Sequence, residues 1–157
     1  MRHRIIYLFI AILFSPAFTQ AQNKFFRTDS GDSRKMTEDG GISLNGPWKF
    51  KIVLPDESMT GIHFYRPDFD DSSWSSIHVP SNWEMKGFEE PRYKEPRQEG
   101  DLFAAQGLYR KTFTVPADWE GRRIRLKFEG VLYGYEFWVN KTRISGFESA
   151  YSPCEFD

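Results

Sequence analysis

Four carboxylates fall in or beside one loop of this chain. Glu84, Glu89, Glu90 and Glu95 accompany residues 79–93, Val-Pro-Ser-Asn-Trp-Glu-Met-Lys-Gly-Phe-Glu-Glu-Pro-Arg-Tyr. Glycoside cleavage uses two carboxyl groups about 5–10 Å apart across the sugar. Spacing along a loop does not set such a distance. Lys86, Arg92, Lys94 and Arg97 lie close enough to balance the same charges on a solvated surface. The loop also carries Trp83, Phe88 and Tyr93, with Phe103 further on. Aromatic rings in a loop either stack on the apolar C–H faces of a sugar or pack onto the domain. Trp83 follows so closely on the apolar strand Ile77-His78-Val79 that an anchoring role is the expectation for it.

Other chemistry finds less support. The histidines are His3, His63 and His78, with no Cys or His at metal-ligand spacing. Nothing resembles a serine or cysteine triad with an ordered base, and there is no phosphate-cradling glycine loop. Cys154 is the single cysteine, so it forms no internal bridge. A half-buried thiol on a strand is the expectation for it.

The elements that position these groups read as short strands. Asn45-Gly46 gives a turn, after which Trp48, Phe50 and Ile52 alternate with Lys49 and Lys51. Asp68 to Trp74 reads as a capped turn whose Trp74 folds back onto the core. Pro80 ends the strand that opens the aromatic loop, because proline has no amide donor for the ladder. From 89 to 100 no regular element fits. Residues 107–115 read as a strand with Tyr109, Phe113 and Val115 on one face and Arg110, Thr112 and Thr114 on the other. Lys111 violates that pattern, as a snorkelling or edge residue would. Residues 116–121 form a turn; Ile124, Leu126 and Phe128 alternate with Arg123, Arg125 and Lys127. Asn140-Lys141 is a two-residue hairpin turn between strands 133–139 and 142–145. Short strands at this spacing, with no long helical pattern, indicate an all-β sandwich. The chain ends at Asp157 inside what reads as a further strand beginning near Cys154. The sheet is therefore expected to be incomplete at the C-terminus, as in a piece of something longer.

Bulk properties narrow the classes. The chain has 157 residues and a net charge of −1, which gives no basic surplus for nucleic acid and no pull toward anionic membranes. Aromatics at 17% suit sheets better than helices. Residues 1–21 read as a signal peptide: a basic start, an apolar run over 5–14, and Thr19-Gln20-Ala21 before the expected cleavage. The run is too short to span a bilayer, which takes ~20 apolar residues. The mature chain is expected to be exported, periplasmic or secreted, with no membrane attachment after cleavage. Residues 22–41 are polar and aperiodic, a flexible or draped lead-in.

Several segments, taken together, resemble glycoside hydrolase family 2. Leu44-Asn45-Gly46-Pro47-Trp48-Lys49-Phe50 is similar to its L-N-G-x-W-x-F opening. Asp71-Ser72-Ser73-Trp74 with Val79-Pro80-Ser81-Asn82-Trp83-Glu84 resembles its D-x-x-W … V-P-x-x-W segment. Gly107 to Phe113 resembles G-x-Y-R-x-x-F, Phe128-Glu129-Gly130-Val131 resembles F-x-G-V, and Phe137-Trp138-Val139-Asn140 resembles the W-V-N-G hairpin. Ser152-Pro153-Cys154-Glu155-Phe156-Asp157 is similar to the t-P-x-E-F-D run. The wording around Trp83 is that of the β-galactosidase branch.

The resemblance implies a jelly-roll, galactose-binding-like β-sandwich over 42–157, the family's N-terminal sugar-binding domain. It implies that immunoglobulin-like domains and a (β/α) barrel follow, with the acid/base and nucleophile glutamates on the barrel. This chain is then expected to hold no catalytic residue. It would lend its aromatic loop to the barrel's pocket, with Trp83, Tyr93 and Glu95 as the substrate-binding candidates and a β-galactoside-like carbohydrate as partner. In galactosidases the loop's P-x-Y-T-N ending supplies an Asn to the sugar. Here Pro91-Arg92-Tyr93-Lys94-Glu95 puts Glu95 in that place. The resemblance implies no cofactor in this chain and leaves metal ions to the full-length family enzymes. A free-standing carbohydrate-binding module is the alternative, and it requires an exposed aromatic platform.

Overall fold

The computed structural model describes residues 4–13, 40–54, 57, 63–88, 105–131, 134–148 and 152–157. Eight strands run through them: β1 (Arg4–Leu13), β2 (Gly46–Val53), β3 (Ser75–Val79), β4 (Gln106–Val115), β5 (Leu126–Phe128), β6 (Gly134–Val139), β7 (Thr142–Glu148) and β8 (Cys154–Phe156). The helical pieces among the described residues are two three-residue 3-10 turns, Glu84–Lys86 and Ala117–Trp119. The fold is all-β, as expected.

The alternation in β2 buries Trp48 and Phe50 and leaves Lys49 and Lys51 at the half-buried positions between them. Gly46, at φ 110, makes the backbone turn that brings the chain into this strand. β3 pairs antiparallel with β2 from Gly46↔Val79 to Phe50↔Ser75 and stops at Pro80. β4 takes the other side of β2, with Phe50 opposite Tyr109. The Asn140-Lys141 turn joins β6 to β7 with both residues at positive φ, 48° and 70°, the primed geometry of a tight hairpin. The larger sheet has the order β3-β2-β4-β1-β6-β7, and β5 pairs with β8 in a second, two-stranded sheet.

The small sheet lies against the large one. Leu8, Phe50, Trp83, Tyr109, Tyr135 and Phe137 belong to the buried cluster, and Leu126, Phe128, Cys154 and Phe156 of the small sheet pack on it. The strand expected near Cys154 is β8, and its partner is β5. That partner is shorter than the alternation suggested, since Ile124 falls outside it and is exposed.

The opposite face of the large sheet is also covered. Val53, Phe64, Trp74 and Leu108 form a second buried cluster, with Tyr65, Phe69 and Trp138 packed on it. Arg110 does lie on the face opposite Tyr109, beside Leu108, yet it is only 6% exposed. The reason is that residues 63–74 fold over that face. Thr112 and Thr114, further along, stay exposed. Lys111 is not at a sheet edge: β4 lies between β2 and β1, and the Lys111 ammonium donates to the Pro47 carbonyl of β2 at 2.9 Å.

One strand comes from an unexpected place. Arg4–Leu13, inside the segment expected to act as an export leader, pairs with both β4 and β6. Most of the expected lead-in, 22–39, lies outside the described residues.

Candidate functional site

The aromatic loop leaves β3 at Pro80 and is tied down within its first eight residues. The Val79–Pro80 peptide is cis. The Ser81 hydroxyl donates to the His78 carbonyl at 2.5 Å, and the Asn82 side-chain oxygen accepts the Glu84 amide at 3.0 Å. These local bonds are what Ser and Asn offer at turns. The Glu84–Lys86 turn closes with the Gly87 amide donating to the Glu84 carbonyl, and Gly87 takes the left-handed conformation at φ 77. The Phe88 amide then donates back to the Trp83 carbonyl at 3.2 Å.

That tight turn points both of its rings inward. Trp83 is 5% exposed and stacks on Phe50 with centroids 6.0 Å apart and planes at 28°. Phe88 meets Phe50 edge-on at 4.7 Å. Trp83 also lies 6.5 Å from the Tyr109 ring and directly over Gly107. Trp83 is thus an anchor, and its ring presents no open face. The Trp48 ring, 6.4 Å from Tyr109, is held by its own N–H donating to the Leu44 carbonyl at 2.8 Å.

Of the three expected contact residues, Trp83 alone is among the described residues; Tyr93 and Glu95 lie outside them. The same holds for the four carboxylates: Glu84 is described and half-buried, while Glu89, Glu90 and Glu95 are outside. An open cleft of about 240 Å³ runs along the root of the loop, lined by Phe50, Ile52, Ser73, Trp74 and Phe88 among others. A second, of about 500 Å³, lies between Arg66, Pro67 and Asp68 and the hairpin residues Asn140 and Lys141.

Arg110 organises the other face. Its Nε donates to Asp71 Oδ2 at 2.7 Å, and its terminal nitrogens donate to the carbonyls of Phe64, Arg66 (3.0 Å) and Phe69 (3.4 Å). The guanidinium also sits 5.2 Å over the Phe69 ring. A buried charge persists only when paired and hydrogen-bonded in this way. The segment it gathers carries Tyr65, which stacks on Trp138 at 5.5 Å and 11° and bonds His63 at 3.0 Å. The residue patterns did not assign Arg110 this role. The available signals were an arginine beside Leu108 and Tyr109 on an apolar strand, and an Asp three residues before Trp74.

The perturbed groups are structural. Burial raises the Tyr109 phenol well above its usual range. Burial, then the contact with the Cys154 thiol, raises Tyr135. Its hydroxyl is 3.2 Å from the half-buried Cys154 sulfur. Burial lowers the Lys111 ammonium. No group of three or more potential metal ligands forms among the described residues.

Among the Phe, Trp and Tyr side chains whose exposure the structure describes, none is exposed; the exposed large apolar residues among the described residues are Leu54, Met85, Ile124 and Ile144. The aromatic platform that a free-standing module requires is therefore not found there.

Known proteins resemble this chain in sequence. The chain is 36% identical over 121 residues to a beta-galactosidase of Psychromonas ingrahamii, a match covering 73% of this chain and 12% of that protein. It is 33% identical over 138 residues to a beta-galactosidase of Vibrio cholerae, covering 83% and 13%. It is 30% identical to a beta-galactosidase large subunit of Leuconostoc lactis, covering 73% and 22%. The chain thus spans roughly an eighth to a fifth of the length of these relatives. The glycosyl hydrolases family 2 sugar binding domain matches residues 42–157, and the chain belongs to that family.

Proposed function

We propose that this chain is the N-terminal jelly-roll domain of an exported β-galactosidase-like retaining glycosidase. Its role is to supply pocket wall and interdomain surface to a barrel that carries both catalytic glutamates. The whole enzyme would cleave a β-galactoside-like substrate by double displacement, with one glutamate as nucleophile and the other as acid and then base. Immunoglobulin-like domains would connect the two parts. No cofactor is assigned to this chain.

The observation that carries the reading is the anchoring of the loop. Trp83 and Phe88 bury the loop's root against Phe50. A root held in this way suits a strut, in which the far end, with Tyr93 and Glu95, reaches another domain's pocket. Glu95 stands where galactosidases place an Asn. A carboxylate accepts but does not donate as an amide does, so the sugar hydroxyl it meets must act as donor.

The test is hydrolysis of nitrophenyl β-galactoside by the purified chain, beside the nucleotide sequence that follows the Asp157 codon. The proposal expects no turnover from the chain and a continuing frame that encodes a barrel. Robust turnover by residues 1–157 alone overturns it. Export is tested separately, by the N-terminal residue of the chain recovered outside the cytoplasm, which is expected to be Gln22.

A further inference from the structure

The asparagines among the described residues are Asn45, Asn82 and Asn140, and their surroundings differ. Asn82 precedes the buried Trp83, and its side-chain oxygen accepts the Glu84 amide at 3.0 Å. Asn140 precedes Lys141, whose Cβ stands on a backbone at φ 70. Asn45 is exposed and precedes Gly46. Its main-chain amide donates to Ser43 Oγ at 3.3 Å, and no group among the described residues bonds its carboxamide.

The peptide link after Asn45 is also at the weakest end of its ladder. Gly46↔Val79 is the last pair between β2 and β3. Pro47 and Pro80, beside it on the two strands, have no amide to donate. End rungs of this kind open at low free energy. Gly46 has no side chain, and nothing lies within 4 Å of the place a Cβ would take. The turn around this link is held by one strap: the Trp48 indole N–H donates to the Leu44 carbonyl at 2.8 Å, across the Asn45–Gly46 peptide.

We propose that Asn45–Gly46 is a self-modification site, where the chain converts its own asparagine to aspartate and isoaspartate with water as co-reactant. The Gly46 amide nitrogen gives up its proton and bonds to Cγ of Asn45. The Cγ–Nδ2 bond breaks, and the departing nitrogen takes up a proton and leaves as ammonia. The result is a cyclic imide in which the main-chain carbonyl carbon and Cγ of residue 45 share the Gly46 nitrogen. Water then adds to one of these carbons. Breaking the bond to Cγ gives aspartate and restores the original main chain. Breaking the bond to the main-chain carbon gives isoaspartate, whose link to Gly46 runs through Cγ. No oxidation state changes, so neither oxidant nor reductant is required. Either product carries one negative charge more than asparagine. Isoaspartate also lengthens the main chain by one methylene inside the span that the Leu44–Trp48 bond closes. The entry to β2 is thereby loosened, while the β6–β7 hairpin at the other side of the sheet is left as it was.

The test is incubation of the full chain at mildly alkaline pH, which favours loss of the amide proton. A more acidic form should accumulate at a rate independent of protein concentration, with ammonia released in equal amount. Peptide mapping should place the change at Asn45, at least about tenfold faster than at Asn82 or Asn140, a barrier difference of about 1.4 kcal/mol. Edman degradation of the modified peptide should halt at residue 45, as it does at isoaspartate. Asn45→Gln should suppress the acidic form, because its side chain must close a larger ring. In the modified chain the Trp48 indole N–H should exchange faster than in the fresh one, with the amides of β6 and β7 unchanged. The proposal is overturned if no acidic form appears, if it maps to Asn82 or Asn140, or if Asn45→Gln forms it at the same rate. Conversion to aspartate alone also overturns it, since direct hydrolysis then replaces the imide. An isoaspartate-bearing chain whose Trp48 indole exchanges as in the fresh one overturns the loosening of β2.

Discussion

The indole of Trp83 rests on Gly107: a methyl group built at Gly107 would stand 2.5 Å from Cζ3 of the ring and 2.8 Å from Cε3. Real Cβ atoms do not approach so closely, so the loop and β4 are fitted to each other at this point. Gly107→Ala is expected to force the ring off Phe50 and to cost about 2 kcal/mol, the ordinary cost of overpacking a core. Urea unfolding measures it. In a double-mutant cycle with Trp83→Leu, the two effects should fail to add, because removing the ring makes room for the methyl.

Arg110 gives the second prediction. Its replacement by Met leaves Asp71 and three carbonyls without their donor on a covered face. A loss of about 3 kcal/mol is expected, as for a broken buried pair. Lysine should recover little, because one ammonium cannot reproduce the fork that spans Asp71 and the backbone of 64–69. Asp71→Asn should cost less than either, since Asp71 is partly exposed and the three carbonyls keep their donor. Thermal unfolding of the three variants ranks them.

These two contacts show how the sequence was readable and where it was not. The strands were legible wherever apolar and charged residues alternated, as at Trp48-Lys49-Phe50-Lys51 and at the Asn140-Lys141 hairpin. Period two reports one buried face, and it is silent when a loop covers the other. The alternation put Arg110 on the face opposite Tyr109 but gave no sign that residues 63–74 cover it there. The apolar run 5–14 suits an export leader and a buried strand alike, because hydropathy measures apolarity and not the partner that buries it. For the site, the packing of Trp83 could be read from its closeness to β3. Tyr93 and Glu95 lie in a stretch of charges and prolines with no periodicity to place them.

Alkaline pH should loosen the fold through Tyr109 and Tyr135. Both phenols are raised above their ordinary value of 10.0, so they stay protonated in the folded chain while the unfolded chain ionises. The folded state then holds more protons, and stability falls as pH rises above 10. Each group contributes a slope approaching about 1.4 kcal/mol per pH unit. Lys111 acts in the opposite sense, since its lowered value makes stability rise with pH, but only up to its ordinary 10.5. Lys111's contribution fades as pH passes above that value, so urea midpoints taken above about pH 11.5 report chiefly on the tyrosines. Tyr109→Phe should flatten the decline there.

The hairpin offers a stabilising change. Lys141 holds φ 70, a conformation in which its Cβ is crowded. Lys141→Gly relieves that crowding, partly offset by the greater freedom of glycine in the unfolded chain. A net gain of about 0.5–1 kcal/mol is expected, read as a rise in the melting temperature.

The central claim is that this domain braces another domain's pocket and is not itself a sugar receptor. Calorimetric titration of the purified chain with galactose tests it most directly. With Trp83 and Phe88 packed on Phe50, so that neither offers an open ring face at the root of the loop, no saturable heat is expected. Saturable one-to-one binding of galactose by this chain alone would contradict the account and identify it as a carbohydrate-binding module.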